Sequence, residues 1–412
     1  MAALEYRSPT RAELREFFEP VVSAYGLDAT EDDYRYEELT YEDGRSIGAL
    51  DEGVWVGGAG AYTFDVTVPG GGQVAASGVT MVGVAPTHRR RGILTTMMRW
   101  LHDDAVRRGE PLAVLTASEA SIYRRFGYGV ATDDARITVP SRAVVFDPPL
   151  QVGGRFRRLD PHLDTGPLAG VYEQVRLRRN GWFNRGAGWW ERLRLDPTDA
   201  RAGASKLFAV VHEDASGAPD GFATWRISQN HGDSRVADDT VVLEELVAVD
   251  ADVELAIWQF LAGIDLTTTI SWNGAPMDLP LRWRMVEPRQ LHLRGRSDWM
   301  WARLLDVPAA LAARRYLVAG DLVLHVDDAF HPEAAGTYRL KGSPDGAECE
   351  RVDDARPDLS LGAPELGAIY LGGVAPSLYA TAGRLVEHEP GALERADAMF
   401  VTHPAPYCPL MF

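Results

Sequence analysis

Cysteine is almost absent from this chain: Cys349 and Cys408 are the only two in 412 residues. Two thiols make no disulfide framework, and the pattern fits a reducing compartment, so a cytoplasmic protein is expected. Long apolar runs are missing as well. No stretch approaches the roughly 18 uncharged apolar residues of a membrane span. The opening MAALEYRSPTRAEL carries charge where a secretion signal needs an apolar run, so no membrane association is expected. Basic residues are in the minority, 42 Lys and Arg against 59 Asp and Glu, a net charge of −17. So acidic a protein is a poor general binder of nucleic acid, whose phosphates need a basic surface, and it favours cationic ligands. There is no GxxxxGK followed by Ser or Thr, which leaves P-loop nucleotide hydrolysis without support. No GxGxxG follows a strand, which disfavours a dinucleotide fold. The 10 histidines show neither HExxH nor paired Cys/His spacing, so no metal is expected.

What is there is ordinary globular composition, with 46% hydrophobic and 25% charged residues, and 40 Gly and 25 Pro scattered without a period. At about 100–200 residues per domain, the length allows two to four domains. Leu14, Phe17, Phe18, Val21 and Val22 after Pro9-Thr10 predict a helix. Strands are expected over 46–50, 53–64 and 77–84, a helix over 93–108, a buried strand over 112–116 and a short helix over 122–126 closed by Gly127. The pattern breaks at Phe146-Asp147-Pro148-Pro149, which places a boundary at 147. A similar element order recurs over 148–295, with a helix at 167–178, strands at 206–212, 222–228 and 240–249, and a helix at 253–261. The last region, 296–412, is expected to open with a helix over 299–305. Strands then follow at 321–326, 336–339 and 359–361, and helices at 363–371 and 376–383.

The strongest signal is Val82-Gly83-Val84-Ala85-Pro86-Thr87-His88-Arg89-Arg90-Arg91-Gly92-Ile93-Leu94-Thr95. A hydrophobic strand ends in a proline turn, and three arginines and a glycine then open an amphipathic helix. A helix N-terminus offers unpaired N–H groups and a positive dipole end. Gly92 lets backbone approach an anion, and the arginines match phosphate oxygens. Together they make a pyrophosphate cradle, positive inside a very acidic protein. The plainer alternative is a solvated arginine run before a surface helix. His88 is either a minor contact or merely exposed.

The segment 82–92 fits V-x-V-A-P-x-x-R-R-x-G, the acyl-CoA motif of GNAT N-acetyltransferases. With TASEASIYRRFGYG at 116–129, the chain resembles the Eis (enhanced intracellular survival) family of that class. The resemblance implies a mixed α/β (α+β) architecture of two GNAT-like domains in tandem followed by a sterol-carrier-like domain. The boundaries read above give a catalytic domain over 1–147, a degenerate GNAT-like domain over 148–295 and a sterol-carrier-like domain over 296–412. It further implies acetyl-CoA as acyl donor. Val82, Gly83 and Val84 would lie along its pantetheine arm, Arg89 to Thr95 around its pyrophosphate, and Ser118 and Glu119 further along. Tyr123 matches the family's general acid and the carboxylate of Phe412 its general base. A homo-oligomer, a hexamer, is implied by the resemblance alone. Leu94 departs from the small residue common at its position in GNAT enzymes at large.

Acetyl transfer to an amine needs a base for the amine, a donor for the thioester oxygen and an acid for the departing thiolate. A backbone N–H of 82–84 suits the oxyanion. Arg124 and Arg125 beside Tyr123 are expected to lower its pKa from about 10, making it a fair acid. The alternative is a core tyrosine, and Tyr128 is the nearest rival. Phe412 ends an apolar, proline-stiffened tail. Burial against Pro409, Leu410 and Met411 would strengthen its carboxylate as a base, and packing alone is the alternative. In the second region Asp250, Asp252 and Glu254 stand where phosphates would need cations, so that domain is expected to be catalytically silent.

The acceptor is expected to be a primary amine of a small polyamine-type molecule such as an aminoglycoside, or a lysine side chain. Asp28, Glu31, Asp32, Asp33, Glu37 and Glu38, interleaved by Tyr34 and Tyr36, form either a negative mouth for it or a charged surface helix. Arg176, Arg178, Arg179 and Arg185 alternate with Trp182, Trp189 and Trp190. That pattern suits a single-strand nucleic-acid platform or, given the net acidity, a solvated helix face beside core tryptophans. A binding-protein alternative uses Leu322, Val323, Leu324, Val326, Leu359 and Leu361 to line a lipid-sized cavity rather than a core.

Overall fold

The structure, a computed structural model, describes residues 4–230, 238–352 and 354–412. They fall into two compact units that do not follow chain order. One is Met1–Thr132 with Arg179–Phe183 and Asp298–Phe412; the other is Asp133–Arg178 with Asn184–Ser297.

The first unit opens with β1 (Glu5–Arg7), α1 (Leu14–Ala24) and α2 (Glu31–Glu38). Leu14, Phe17, Phe18 and Val21 form the buried face of α1, as their spacing predicts. Then come β2 (Ser46–Asp51), β3 (Val54–Thr67), β4 (Gln73–Val84), α3 (Ile93–Arg107), β5 (Leu112–Thr116), α4 (Ala120–Tyr123) and β6 (Gly129–Val130). Strands β1 to β4 pair antiparallel in chain order. α3 crosses over between β4 and β5, so these two run parallel. Gly58 and Gly83 let α1 lie close: a Cβ on Gly58 would press on the Phe17 ring, and one on Gly83 would sit 2.7 Å from the Val21 Cα.

Beside β5 the expected helix over 299–305 is instead a strand, Met300–Leu304. It pairs antiparallel with β5 on one edge and β6 on the other. A short apolar run fits either periodicity, and here the two open edges decide. Every residue of the strand is buried, including Arg303, which donates to the Phe126 carbonyl at 2.6 Å and pairs with Asp328. Helix Ala363–Ile369 lies on this strand so closely that a Cβ on Gly367 would overlap the Ala302 carbonyl oxygen. Gly367→Ala is therefore expected to cost about 1–3 kcal/mol, read as a lowered midpoint in thermal unfolding.

The chain end adds a five-stranded sheet in the order Gly346–Arg351, Gly336–Ser343, Gly320–Asp327, Leu359–Gly362, Leu385–Glu387. Leu322, Val323, Leu324, Val326, Leu359 and Leu361 are all buried there as core.

The second unit repeats the plan. Strand Asp239–Ala248 runs parallel to Thr267–Ala275 across helix Ala251–Ala262. Strand Asp133–Pro140 pairs into this sheet, antiparallel to Thr267–Ala275. The Asp250 side chain accepts from the Val253 N–H at 2.9 Å. A built-in carboxylate thus occupies the helix N-terminus where an anion would sit. The tryptophan-rich stretch is a solvated face only in part: Arg178 is exposed beside the buried Trp182 and Trp190, whereas Arg176 is buried. Arg185 is bonded to both carboxylate oxygens of Glu245, at 3.0 and 2.7 Å, and lies 4.0 Å over the Tyr172 ring. Arg192 covers Trp189 at 4.7 Å. These cations are spent on rings and carboxylates within the fold.

Candidate active site

The parallel pairing of β4 with β5 stops at Val79 opposite Leu115. β4 runs on to Val84 without a β5 partner, and Met81, at φ 54°, marks the departure. One edge of Val82–Val84 is therefore open, and a cleft of about 750 Å³ occupies the gap. Val82, Gly83 and Val84 form one wall, and Ser118, Glu119, Ile122, Tyr123 and Arg125 the other.

At the end of the cleft stand Arg89, Arg90, Gly92, Ile93, Leu94 and Thr95. Gly92 is the residue before α3, at φ 82°, a left-handed conformation that costs glycine little. Among the described residues no side chain caps α3, which leaves its first N–H groups available to the cleft. Among the described residues neither Arg89 nor Arg90 has a carboxylate partner. Free cations beside an uncapped helix end fit a diphosphate. Arg91 turns elsewhere: its guanidinium lies 3.2 Å from Asp51, which also holds His88 Nε2 at 3.0 Å. Both contacts depress the Asp51 carboxyl, that of His88 more, and together they tie the loop to β2.

Tyr123 is buried, with 4% of its surface exposed, and follows the cleft wall from α4. The expected lowering of its pKa is reversed. Burial pushes the phenol up; the nearby Tyr25 phenol adds to this, and a hydrogen bond with Ser118 opposes it. Arg124 is engaged elsewhere, with Glu365, and Arg125, though in the cleft wall, lies over the Phe126 ring at 4.8 Å. Tyr128 does not line the cleft; its hydroxyl meets His102 at 2.9 Å.

The chain end reaches the same sheet. Thr116, the last residue of β5, donates its hydroxyl to the Phe412 backbone oxygen at 2.8 Å. The Phe412 ring packs edge-on against Phe64 at 5.0 Å and Phe183 at 5.3 Å. These rings, not the adjoining Met411, are its apolar neighbours; Met411 is 67% exposed. Segment Arg179–Phe183 guides the tail. Thr67 donates to the Trp182 carbonyl at 2.7 Å, and Tyr407 donates to that of Asn180 at 2.9 Å. Thr116, Phe64 and Phe183 carry no local sequence signal.

Tyr25 is also new. It is 46% exposed, and its hydroxyl donates to the Val82 carbonyl at 3.1 Å, across the open strand edge. The acidic α2 is partly committed: Glu31 pairs with Arg15, Asp33 closes a capping box with Thr30, and Glu37 accepts from Tyr62 at 3.1 Å.

A sequence model of an acetyltransferase (GNAT) domain matches residues 5–131, and a second such model matches 181–314. A sterol carrier protein domain model matches 307–409. The splayed strand, the basic loop and the uncapped helix belong with these matches to one class, the GNAT acyltransferases, and the protein is an enzyme of that class. An uncharacterized N-acetyltransferase of Streptomyces coelicolor is 41% identical over 413 residues, 98% of this chain and 99% of its own. The N-acetyltransferase Eis of Mycobacterium tuberculosis is 35% identical over 344 residues, 82% of this chain and 81% of its own. The crystal structure of Eis1 from Mycobacterium abscessus matches over 100% of both chains, at a TM-score of 0.87 and 34% identity. The chain belongs to the Eis family of GNAT N-acetyltransferases, with two GNAT domains followed by a sterol-carrier-like domain. Acetyltransferases of this fold use acetyl-CoA.

Proposed function

We propose that this enzyme moves the acetyl group of acetyl-CoA directly to a primary amine of a polyamine-type acceptor, an aminoglycoside or a lysine side chain, with Tyr123 as general acid and the Phe412 carboxylate as general base. The observation that supports this most is the hydrogen bond from Thr116 to the Phe412 backbone oxygen, at the end of the strand that leads through Ser118 to Tyr123. Acetyl-CoA, when bound, supplies a thioester whose sulfur leaves as a thiolate. The α3 N–H groups with Arg89 and Arg90 would hold its diphosphate, and Val82–Val84 would offer an edge for its amide arm. A pantetheine amide that takes the Val82 carbonyl displaces the Tyr25 hydroxyl. The Phe412 carboxylate takes a proton from the acceptor ammonium, a backbone N–H of 82–84 stabilises the developing oxyanion, and Tyr123 Oη gives its proton to the sulfur. A homo-oligomer, hexameric as in the family resemblance, working in the cytoplasm, completes the proposal; sedimentation of the purified enzyme tests the oligomer.

The test of the activity is thiol release from acetyl-CoA with a panel of amines. Aminoglycosides and lysine peptides are expected to turn over. No release with any amine overturns the proposal. Within it, Arg90→Ala is expected to raise the KM for acetyl-CoA about tenfold with kcat little changed, the loss of a charged hydrogen bond to a ligand held equally before and during transfer. Titration calorimetry at low and high salt checks that the loss is electrostatic.

A further inference from the structure

Away from the cleft, a second cavity of about 510 Å³ has two histidines in its wall, His102 from α3 and His331 from the chain's last third. They are linked: His102 Nδ1 lies 3.0 Å from His331 Nε2. The contacts continue at both ends. His102 Nε2 meets the Tyr128 hydroxyl at 2.9 Å, and His331 Nδ1 meets the Glu333 carboxylate at 2.7 Å. Four side chains thus form one file of hydrogen bonds, from an exposed carboxylate to a fully buried phenol.

The file has one consistent polarity. Glu333 is held ionised, chiefly by its own backbone N–H and then by His331, and a carboxylate only accepts. His331 Nδ1 therefore carries hydrogen. With His331 neutral, its Nε2 accepts, so His102 Nδ1 donates. Burial, the Arg303 guanidinium and His331 all keep His102 neutral, so His102 Nε2 accepts from the Tyr128 phenol. The Tyr128 ring in turn stands edge-on to Tyr123, 6.3 Å between centroids at 78°.

We propose that His102 and His331 are positioning residues for Tyr123, acting through Tyr128, and that one proton taken up by His331 reverses the file and disengages it. The proposal rests on the reading of Tyr123 as the general acid. When His331 Nε2 gains a proton it donates, His102 must change tautomer, and His102 Nε2–H then points at the Tyr128 oxygen. The phenol proton is left without its partner; among the described residues no second one is in reach. The turnover-competent polarity is that of neutral His331, so kcat falls toward acid pH. Other charges face the pair. Arg99, Asp103 and Arg107 come from α3, Arg303 from the inserted strand with its partner Asp328, and Asp306, Glu333 and Arg351 from the cavity wall. Tyr338 is the cavity's other titratable group.

Steady-state pH profiles of the full-length enzyme test this. His331→Leu strands the His102 N–H and is expected to lower kcat about tenfold with the KM for acetyl-CoA unchanged. His331→Gln keeps an acceptor oxygen but cannot titrate. It is expected to recover most of that loss and to flatten the acid limb of kcat. A folded His331→Leu enzyme with wild-type kcat, or a His331→Gln profile that superimposes on the wild type, overturns the proposal. Should His331→Leu fail to fold, the His331→Gln profile decides alone. The two readings fail differently: an inert relay leaves Tyr123→Phe inactive, whereas Tyr123→Phe at wild-type turnover removes the acid itself.

Discussion

Tyr123→Phe is expected to reduce kcat by about 10²–10⁴-fold while acetyl-CoA still binds. The substitution removes one oxygen from a buried ring and leaves the packing around it in place. The oxygen it removes belongs to the phenol in the cleft wall that would meet a departing sulfur. Burial raises this phenol's pKa, which keeps its proton in place through the neutral and mildly alkaline range. The group is therefore not lost as an acid when pH rises toward the ordinary phenol value of about 10. An alkaline decline of kcat well below that value must come from another group. The cost of the raised pKa is a weaker thermodynamic push, offset only if the thiolate is desolvated in the same cleft. Stopped-flow thiol release and calorimetric acetyl-CoA binding on the same variant separate the two steps. A variant that still turns over at the wild-type rate assigns the proton to water or another side chain.

Adding a short Gly-Ser tail after Phe412 is expected to abolish turnover while leaving acetyl-CoA binding intact. The extension converts the carboxylate into an amide, which cannot accept a proton from an ammonium at neutral pH. It also asks further residues to leave a place where the Phe412 ring is fixed by Phe64 and Phe183. Phe412→Ala separates the two effects: it keeps the carboxylate and loses the anchor. It should retain part of the turnover, with the KM for the amine raised, because the tail end is no longer confined. Equal activity of the extended and native proteins would leave the Thr116–Phe412 contact as packing.

Much of the first domain was legible because its signals are local. The run from Val82 to Thr95 states strand, turn, cations and helix in order, and the structure places both of its ends along one cleft, with Ala85, Pro86, Thr87 and Arg91 outside the lining. Leu14, Phe17, Phe18 and Val21 likewise announce α1 by spacing alone. What was not legible depends on residues far apart in the chain. The strand Met300–Leu304 is fixed by the edges of β5 and β6, which no 299–305 window contains. The cations near Tyr123 were adjacent in sequence, yet Glu365 and the Phe126 ring take them, and burial then sets the sign of the shift. Tyr25, Thr116 and Phe183 reach the site through pairings of high sequence separation, and single residues of those types carry no pattern.

The strand Met300–Leu304 also sets a timetable for synthesis. β5 emerges from the ribosome with one edge bare, and its neighbour follows only after about 185 more residues have been translated. At ordinary elongation rates that is a wait of roughly 10–35 s, during which an apolar strand edge is open to pairing with other chains. The first GNAT domain is thus the first part of the protein to be made and among the last to close. A fragment ending at 147 would keep the bare edge permanently. Such a fragment lacks the strand that closes its own sheet between β5 and β6.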